Sequence, residues 1–164
     1  FELIVYALKT WCSQQPDASD WAVLSAGEHH DDVDLGGGIV LHSVGKLSLE
    51  EYAKLMLETY AGISLMVSPH PSYPPLEMAA FGIRTITNCY SNKDLASFSE
   101  NIISLQSCGP LDIANKLCGI CLGYTGYGVP IRSDFSVDGE GQFDRIVGEI
   151  VEKLGNNGNI AENS

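Results

Sequence analysis

The apolar residues of this chain alternate between short runs and helical stripes. Leu3, Ile4, Ala7, Leu8 and Trp11 recur at helical spacing and predict an amphipathic helix over Glu2 to Cys12. A turn at Pro16-Asp17-Ala18-Ser19 separates it from Trp21 to Ala26, an apolar run that reads as a buried strand leading to Gly27-Glu28. His29 to Gly38 is rich in His, acids and Gly and reads as an exposed loop, with a further strand at Ile39 to Val44. Ser48 then opens a helix as its N-cap, and Glu51 completes a capping box. Leu49, Ala53, Met56, Leu57 and Tyr60 supply that helix with an apolar face.

The pattern then turns on one stretch, Ser68 to Gly82 (SPHPSYPPLEMAAFG). Gly62 to Val67 before it reads as a strand, and Pro75 to Phe81 as a short helix that Gly82 closes from the left-handed region. Strands follow at Arg84 to Asn88 and Ile102 to Leu105, with Ser91 to Ser99 a loop that includes a helical turn from Asp94. Pro110 sits at the first position of a helix running to about Leu122, and Gly123 to Gly128 breaks it. Gln142 to Leu154 carries a last stripe of Phe143, Ile146, Val147, Ile150, Val151 and Leu154, and from Asn156 the tail is polar and reads as disordered.

Strands alternating with helices at this spacing predict an α/β fold, a doubly wound parallel sheet with helices on both faces, in one domain over residues 1–155. The 142–154 helix either joins the core or packs on another domain. Such folds normally open on a strand. The first strand and its loop are therefore expected to be absent from the stretch in hand, which opens on a helix.

Composition narrows the partners. At 164 residues and 45% hydrophobic, the chain can bury a core of its own. A net charge of -12 argues against a nucleic-acid partner and against an electrostatic hold on an anionic membrane, so any membrane association is indirect. No apolar run reaches transmembrane length, and no charged region precedes a signal-like segment. The five Cys, an odd number without framework spacing, suit reduced thiols in a cytoplasmic protein.

The chemistry points back to the central turn. In an open α/β sheet, the loop from a strand's carboxyl end into a helix N-terminus is where a diphosphate can meet free N–H groups and the helix dipole. Pro69, Pro71, Pro74 and Pro75 donate nothing, so backbone binding of an anion falls to His70, Ser72 and Tyr73. Glu77, one turn into the helix, is placed to accept two hydrogen bonds from a vicinal diol such as a ribose; the alternative is that it only complements the helix dipole.

Other constellations read as structural. Adjacent His29 and His30 with Asp31 and Asp32 form a surface loop more readily than a metal site. Cys118 and Cys121 have a redox or zinc spacing but lie in an apolar helical run, which favours buried thiols. Gly36-Gly37-Gly38 precedes a strand, where a phosphate-binding loop would follow one.

The run YAGISLMVSPHPSYPPLEMAAFGIRTITNCYSNKDLASFSENIISL resembles the C-terminal, nucleotide-sugar-binding domain of GT-B type glycosyltransferases, in particular the bacterial rhamnosyltransferases that build cell-surface polysaccharide. LHSVGKLSLEEYAKLM is similar to the same family's strand, base-binding turn and helix, and a weaker similarity extends from the first helix to about Leu122. The resemblance implies one Rossmann-like half of a GT-B fold. It also implies that Glu77 takes the ribose hydroxyls of a nucleoside diphosphate sugar, that Ser72 and Tyr73 meet its diphosphate, and that Gly45 and Lys46 lie near the nucleotide, with Lys46 contacting phosphate or sugar.

One departure stands out. Retaining members of the wider group carry two Glu separated by seven residues around this turn, and Pro69 occupies the first position here. That role falls to Ser68 or His70, or is not needed for a deoxy sugar such as the rhamnose of dTDP-rhamnose. The family's Gly-Arg-type loop, which neutralises the diphosphate, would precede Phe1.

The implied reaction is glycosyl transfer to an acceptor glycan held by an N-terminal domain outside this chain, so that the chain alone turns nothing over. The implied mechanism needs no cofactor or metal, a helix N-terminus and Lys46 stabilising the leaving diphosphate. Asp31, Asp32 and Asp34 read as solvated, not as the Asp-x-Asp pair of metal-dependent transferases. The competing readings are a non-catalytic nucleotide-binding or interaction module of similar fold, and an unrelated flavodoxin-like domain in which Glu77 has no role.

Overall fold

The computed structural model describes residues 1–67, 73–90 and 93–124. The predicted helix at 142–154, the tail from 156 and most of the 123–128 break lie outside them. The described residues fall in one unit, Phe1–Ser133.

Helix α1 (Glu2–Gln14) buries Ala7, Leu8 and Trp11, as the spacing predicts. Strand β1 (Val23–Ala26) follows a short 3-10 turn at Ala18–Asp20. It is not the buried strand expected: exposure alternates along it, and Leu24 is 43% exposed. Its ladder partner is β3 (Ile39–Gly45), to which it runs parallel.

The segment read as a loop contains a strand. β2 (Val33–Gly36) pairs antiparallel with β3 through a hairpin whose Gly37 and Gly38 have positive φ. Leu35 drops into the core at 3% exposure, which supplies the reason for the strand. Two apolar positions between acids and glycines were too few to signal it. These three strands form one sheet in the order β1-β3-β2.

Helix α2 (Leu49–Glu58) has the predicted capping box: Ser48 Oγ accepts from Glu51 N, and Ser48 N donates to Glu51 Oε2. Of the predicted face, Met56 is buried and Ala53 and Tyr60 half-buried, whereas Leu49 is 90% exposed and Leu57 52%; Tyr52, outside that face, is half-buried.

β4 (Ala61–Ile63), β5 (Arg84–Asn88) and β6 (Ile102–Leu105) form a second, wholly parallel sheet with β5 at its centre. β4 stops at Ile63, short of the predicted Val67. Beyond it, Ser64 N donates to Ile86 O and the Asn88 amide takes over the role of a ladder: Met66 N donates to Asn88 Oδ1 (2.6 Å) and Asn88 Nδ2 donates to Met66 O (3.0 Å).

Helix α3 (Tyr73–Ala80) begins two residues earlier than expected, with Pro74 and Pro75 inside its first turn, where a missing N–H costs nothing. Gly82, at φ +82°, closes it: Gly82 N donates to Ala79 O and Ile83 N to Met78 O, the double bond of a Schellman motif. The Asp94 turn forms as read, with Asp94 Oδ1 accepting from Ala96 N before a 3-10 turn at Leu95–Ser97. Helix α4 (Pro110–Leu122) starts at Pro110, its first turn satisfied by Asp112 Oδ2, which accepts from Gly109 N and Ser107 Oγ.

The main core takes α1, α4, β2, β3 and Ile86 of β5 into one cluster, and a second joins Met56, Met78 and Ile83 with Tyr52 and Phe81. With α3 and α4 both packed on it, β5 carries a helix on each face, and Thr85, Ile86 and Thr87 are fully buried. The fold is thus a Rossmann-like mixed α/β arrangement. It differs from the expected single parallel sheet in the antiparallel β2 and the division into two three-stranded sheets.

Candidate functional site

Parallel strands deliver their following loops to one end of a sheet, and two such loops are laced together at the carboxyl ends of β1 and β3. Gly27 N donates to Gly45 O at 2.9 Å. Gly45 itself is buried and sits at φ +65°, a backbone state that favours glycine and swings the chain from β3 towards α2. Lys46, next along, is exposed and joins no ion pair among the described residues. Its ammonium is free to meet an anion.

The start of α2 is not where that anion goes. Ser48 and Glu51 close it, and Glu50 adds a second carboxylate in the same turn. Glu51 is held below the usual carboxylate range, first by the Ser48 backbone N–H and then by its hydroxyl, so it stays charged.

The start of α3 is different. Tyr73 is its first residue and is 67% exposed, while Pro74 and Pro75 offer no N–H to a ligand. Glu77 is exposed, one turn in, and its Oε2 accepts a hydrogen bond from the Tyr52 hydroxyl of α2 at 3.3 Å. Burial, and then the charge of Glu77, push the Tyr52 hydroxyl above its ordinary pKa. The contact ties together the two segments that carry the family resemblance.

Of the residues singled out in sequence, Gly45 and Lys46 therefore stand at one turn, and Tyr73 and Glu77 at the head of α3, with Tyr52 linking α3 to α2. Ser68, His70 and Ser72 lie outside the described residues, as does Pro69.

Two further residues stand beside these positions. Tyr52 falls outside the predicted apolar face of α2, although it lies four residues before Met56, which that face includes. His29, in the loop after β1, lies beside Gly45: a Cβ there would stand 3.9 Å from its Nδ1.

The histidine and acid cluster is dispersed among protein partners. His29 Nδ1 lies 3.4 Å from Ser43 Oγ, His30 stacks at a tilt against Phe1, and His42 Nδ1 pairs with Asp32 Oδ2 at 2.7 Å. Asp34, in β2 and not in a loop, accepts from Gly36 N. Among the described residues no group of three or more His, Cys, Asp or Glu side chains could hold a metal ion. All five cysteines are free, and Cys121 is buried. An open depression of about 440 Å³ beside α4 is lined by Ser104, Gln106, Asp112, Asn115 and Lys116 among others, none of them a residue of the site above.

Comparison with known proteins adds the family. Residues 1–118 match the family described as the WsaF C-terminal domain. The match spans α1 through most of α4 and so covers the whole of the site. No curated protein matches the chain.

Proposed function

With the chain belonging to the WsaF C-terminal domain family, a glycosyltransferase family, we propose that it is the donor domain of an enzyme that transfers a sugar from a nucleoside diphosphate to a glycan. The observation that carries the reading is the Tyr52–Glu77 hydrogen bond, which sets a carboxylate at the head of α3 beside the helix that follows Lys46.

In this reading Glu77 accepts from the nucleoside's free pentose hydroxyl, the 3′-hydroxyl in a thymidine nucleotide, and Lys46 meets the diphosphate or the sugar. Tyr73, with His70 and Ser72, supplies N–H donors to the diphosphate, and Ser68 or His70 meets the donor sugar. The charge that develops on the leaving diphosphate is met by the α3 dipole and by Lys46, without a divalent ion. Pro69 leaves no carboxylate for the sugar ring, which suits a deoxy sugar, and dTDP-rhamnose is the donor proposed. The acceptor, and any base that activates it, belong to a further domain of a cytoplasmic enzyme. No helix among the described residues is long and apolar enough to cross a membrane.

The test is calorimetric titration of thymidine and uridine diphosphates, free and sugar-linked, into the full-length protein and its Glu77→Ala variant. Binding of one nucleotide that Glu77→Ala weakens at least tenfold supports the donor reading. Binding without sugar transfer to any glycan would favour a non-catalytic nucleotide-binding module. Silence from every nucleotide would return the domain to the flavodoxin-like alternative.

A further inference from the structure

A glutamate on an exposed helix face has three rotatable bonds and no preferred direction, so a carboxylate meant to read a nucleoside hydroxyl must be held. Glu77 is held from outside its own helix. The Tyr52 hydroxyl, 25 residues earlier in sequence, donates to Glu77 Oε2, while Oε1 takes no hydrogen bond from a described residue. The Tyr52 ring is half-buried against the cluster of Met56, Met78 and Ile83, which belongs to α2, α3 and the turn after α3. That packing anchors the hydroxyl to the same helix pair whose separation it spans. Desolvation of the ring keeps the hydroxyl protonated, and so a donor, across the physiological range.

We infer that Tyr52 is a positioning residue: it fixes one oxygen of Glu77 so that the other is presented, in a set direction, to the 3′-hydroxyl of a nucleoside diphosphate. The inference rests on the donor reading above and adds to it a second-helix residue that makes the ribose contact specific. Preorganisation of this kind strengthens only the interaction that the held group makes. Ligands lacking the hydroxyls gain nothing from it.

That distinction supplies the test. Thymidine diphosphate and its 3′-deoxy analogue, and UDP and its 2′,3′-dideoxy analogue, are titrated into the full-length protein and into Y52F and E77A variants, with thermal unfolding of each recorded. Y52F removes one oxygen and keeps the ring, so its unfolding midpoint should match the parent. It should weaken the hydroxylated nucleotides by roughly three- to tenfold, the worth of one ordinary exposed hydrogen bond, and leave the deoxy analogues unchanged. Equal losses with and without the hydroxyls, or no loss at all, overturn the positioning role while E77A keeps its effect and the donor reading stands. Should the parent bind no nucleotide, or E77A bind as the parent does, the donor reading falls and the inference with it.

Discussion

β5 and β1 are both short parallel strands, yet they live in different surroundings. β5 is paired on both edges and covered by a helix on each face, and three of its five residues are fully buried. Among the described residues β1 is paired with β3 alone, and its residues alternate between half-buried and exposed. The same contrast holds for the loops that each sheet delivers to the site. The turn after β3 leads into a helix that caps itself, whereas α3, which rides on β5, starts with two prolines and an unsheltered Tyr73. The sheet whose central strand is buried on both faces therefore lies beneath the helix that carries Glu77, and a rigid support of this kind is what a binding residue needs.

The sharpest way to break this comparison is in the two sheets. Ile86→Ala should cost about 3–4 kcal/mol, as a fully buried residue with no room to relax. Leu24→Ala in β1 should cost under about 1 kcal/mol, given its exposure. Urea unfolding of both variants measures the difference, and equal losses would mean that the two sheets are equally buried.

The next effect separates the two loops. Glu77→Ala should lower nucleotide affinity at least tenfold, about 1.4 kcal/mol, and Lys46→Ala should lower it only a few-fold because an exposed ammonium is screened. A larger loss at Lys46 would move the centre of the site to the β3 turn.

Ser48→Ala tests whether α2 depends on its own cap. A loss of about 1 kcal/mol in thermal or urea unfolding is expected, with nucleotide affinity unchanged. A gain in nucleotide affinity would show that the cap competes with a ligand for the start of α2.

A further prediction concerns pH. Burial pushes the Cys121 thiol up from 9.0 to about 11. A group whose folded pKa is raised stabilises the fold below its unfolded pKa, and that contribution is lost as pH rises from about 9 towards 11. Iodoacetamide at pH 8 should label Cys121 last of the five, with mass spectrometry reading the order; early labelling would mean that the helix over β5 opens readily.

Much of this architecture is legible along the chain because its signals are local. Pro110 at the first turn of α4, the Ser48–Glu51 box, the Asp94 turn and the Arg84–Asn88 strand each depend on residues within one turn of one another, and each forms where the pattern places it. Where the pattern misleads, a distant partner decides. β2 forms because Leu35 has a core to enter and Ile39 a strand to offer it. Tyr52 joins the inner side of α2 because it meets α3, and the stretch after β4 leaves the ladder where the Asn88 side chain, 22 residues on, bonds Met66 N and O.

The candidate site divides in the same way. Glu77 and Tyr73 stand out by residue type and by their place next to a strand end, which one-dimensional spacing encodes, whereas Gly45 and Lys46 stand out only through the family resemblance. That the Glu77 carboxylate is held by Tyr52 is a decision of the tertiary structure alone. A hydrogen bond between side chains 25 residues apart has no periodicity, and only the packing of two helices on a shared methionine cluster brings its ends together.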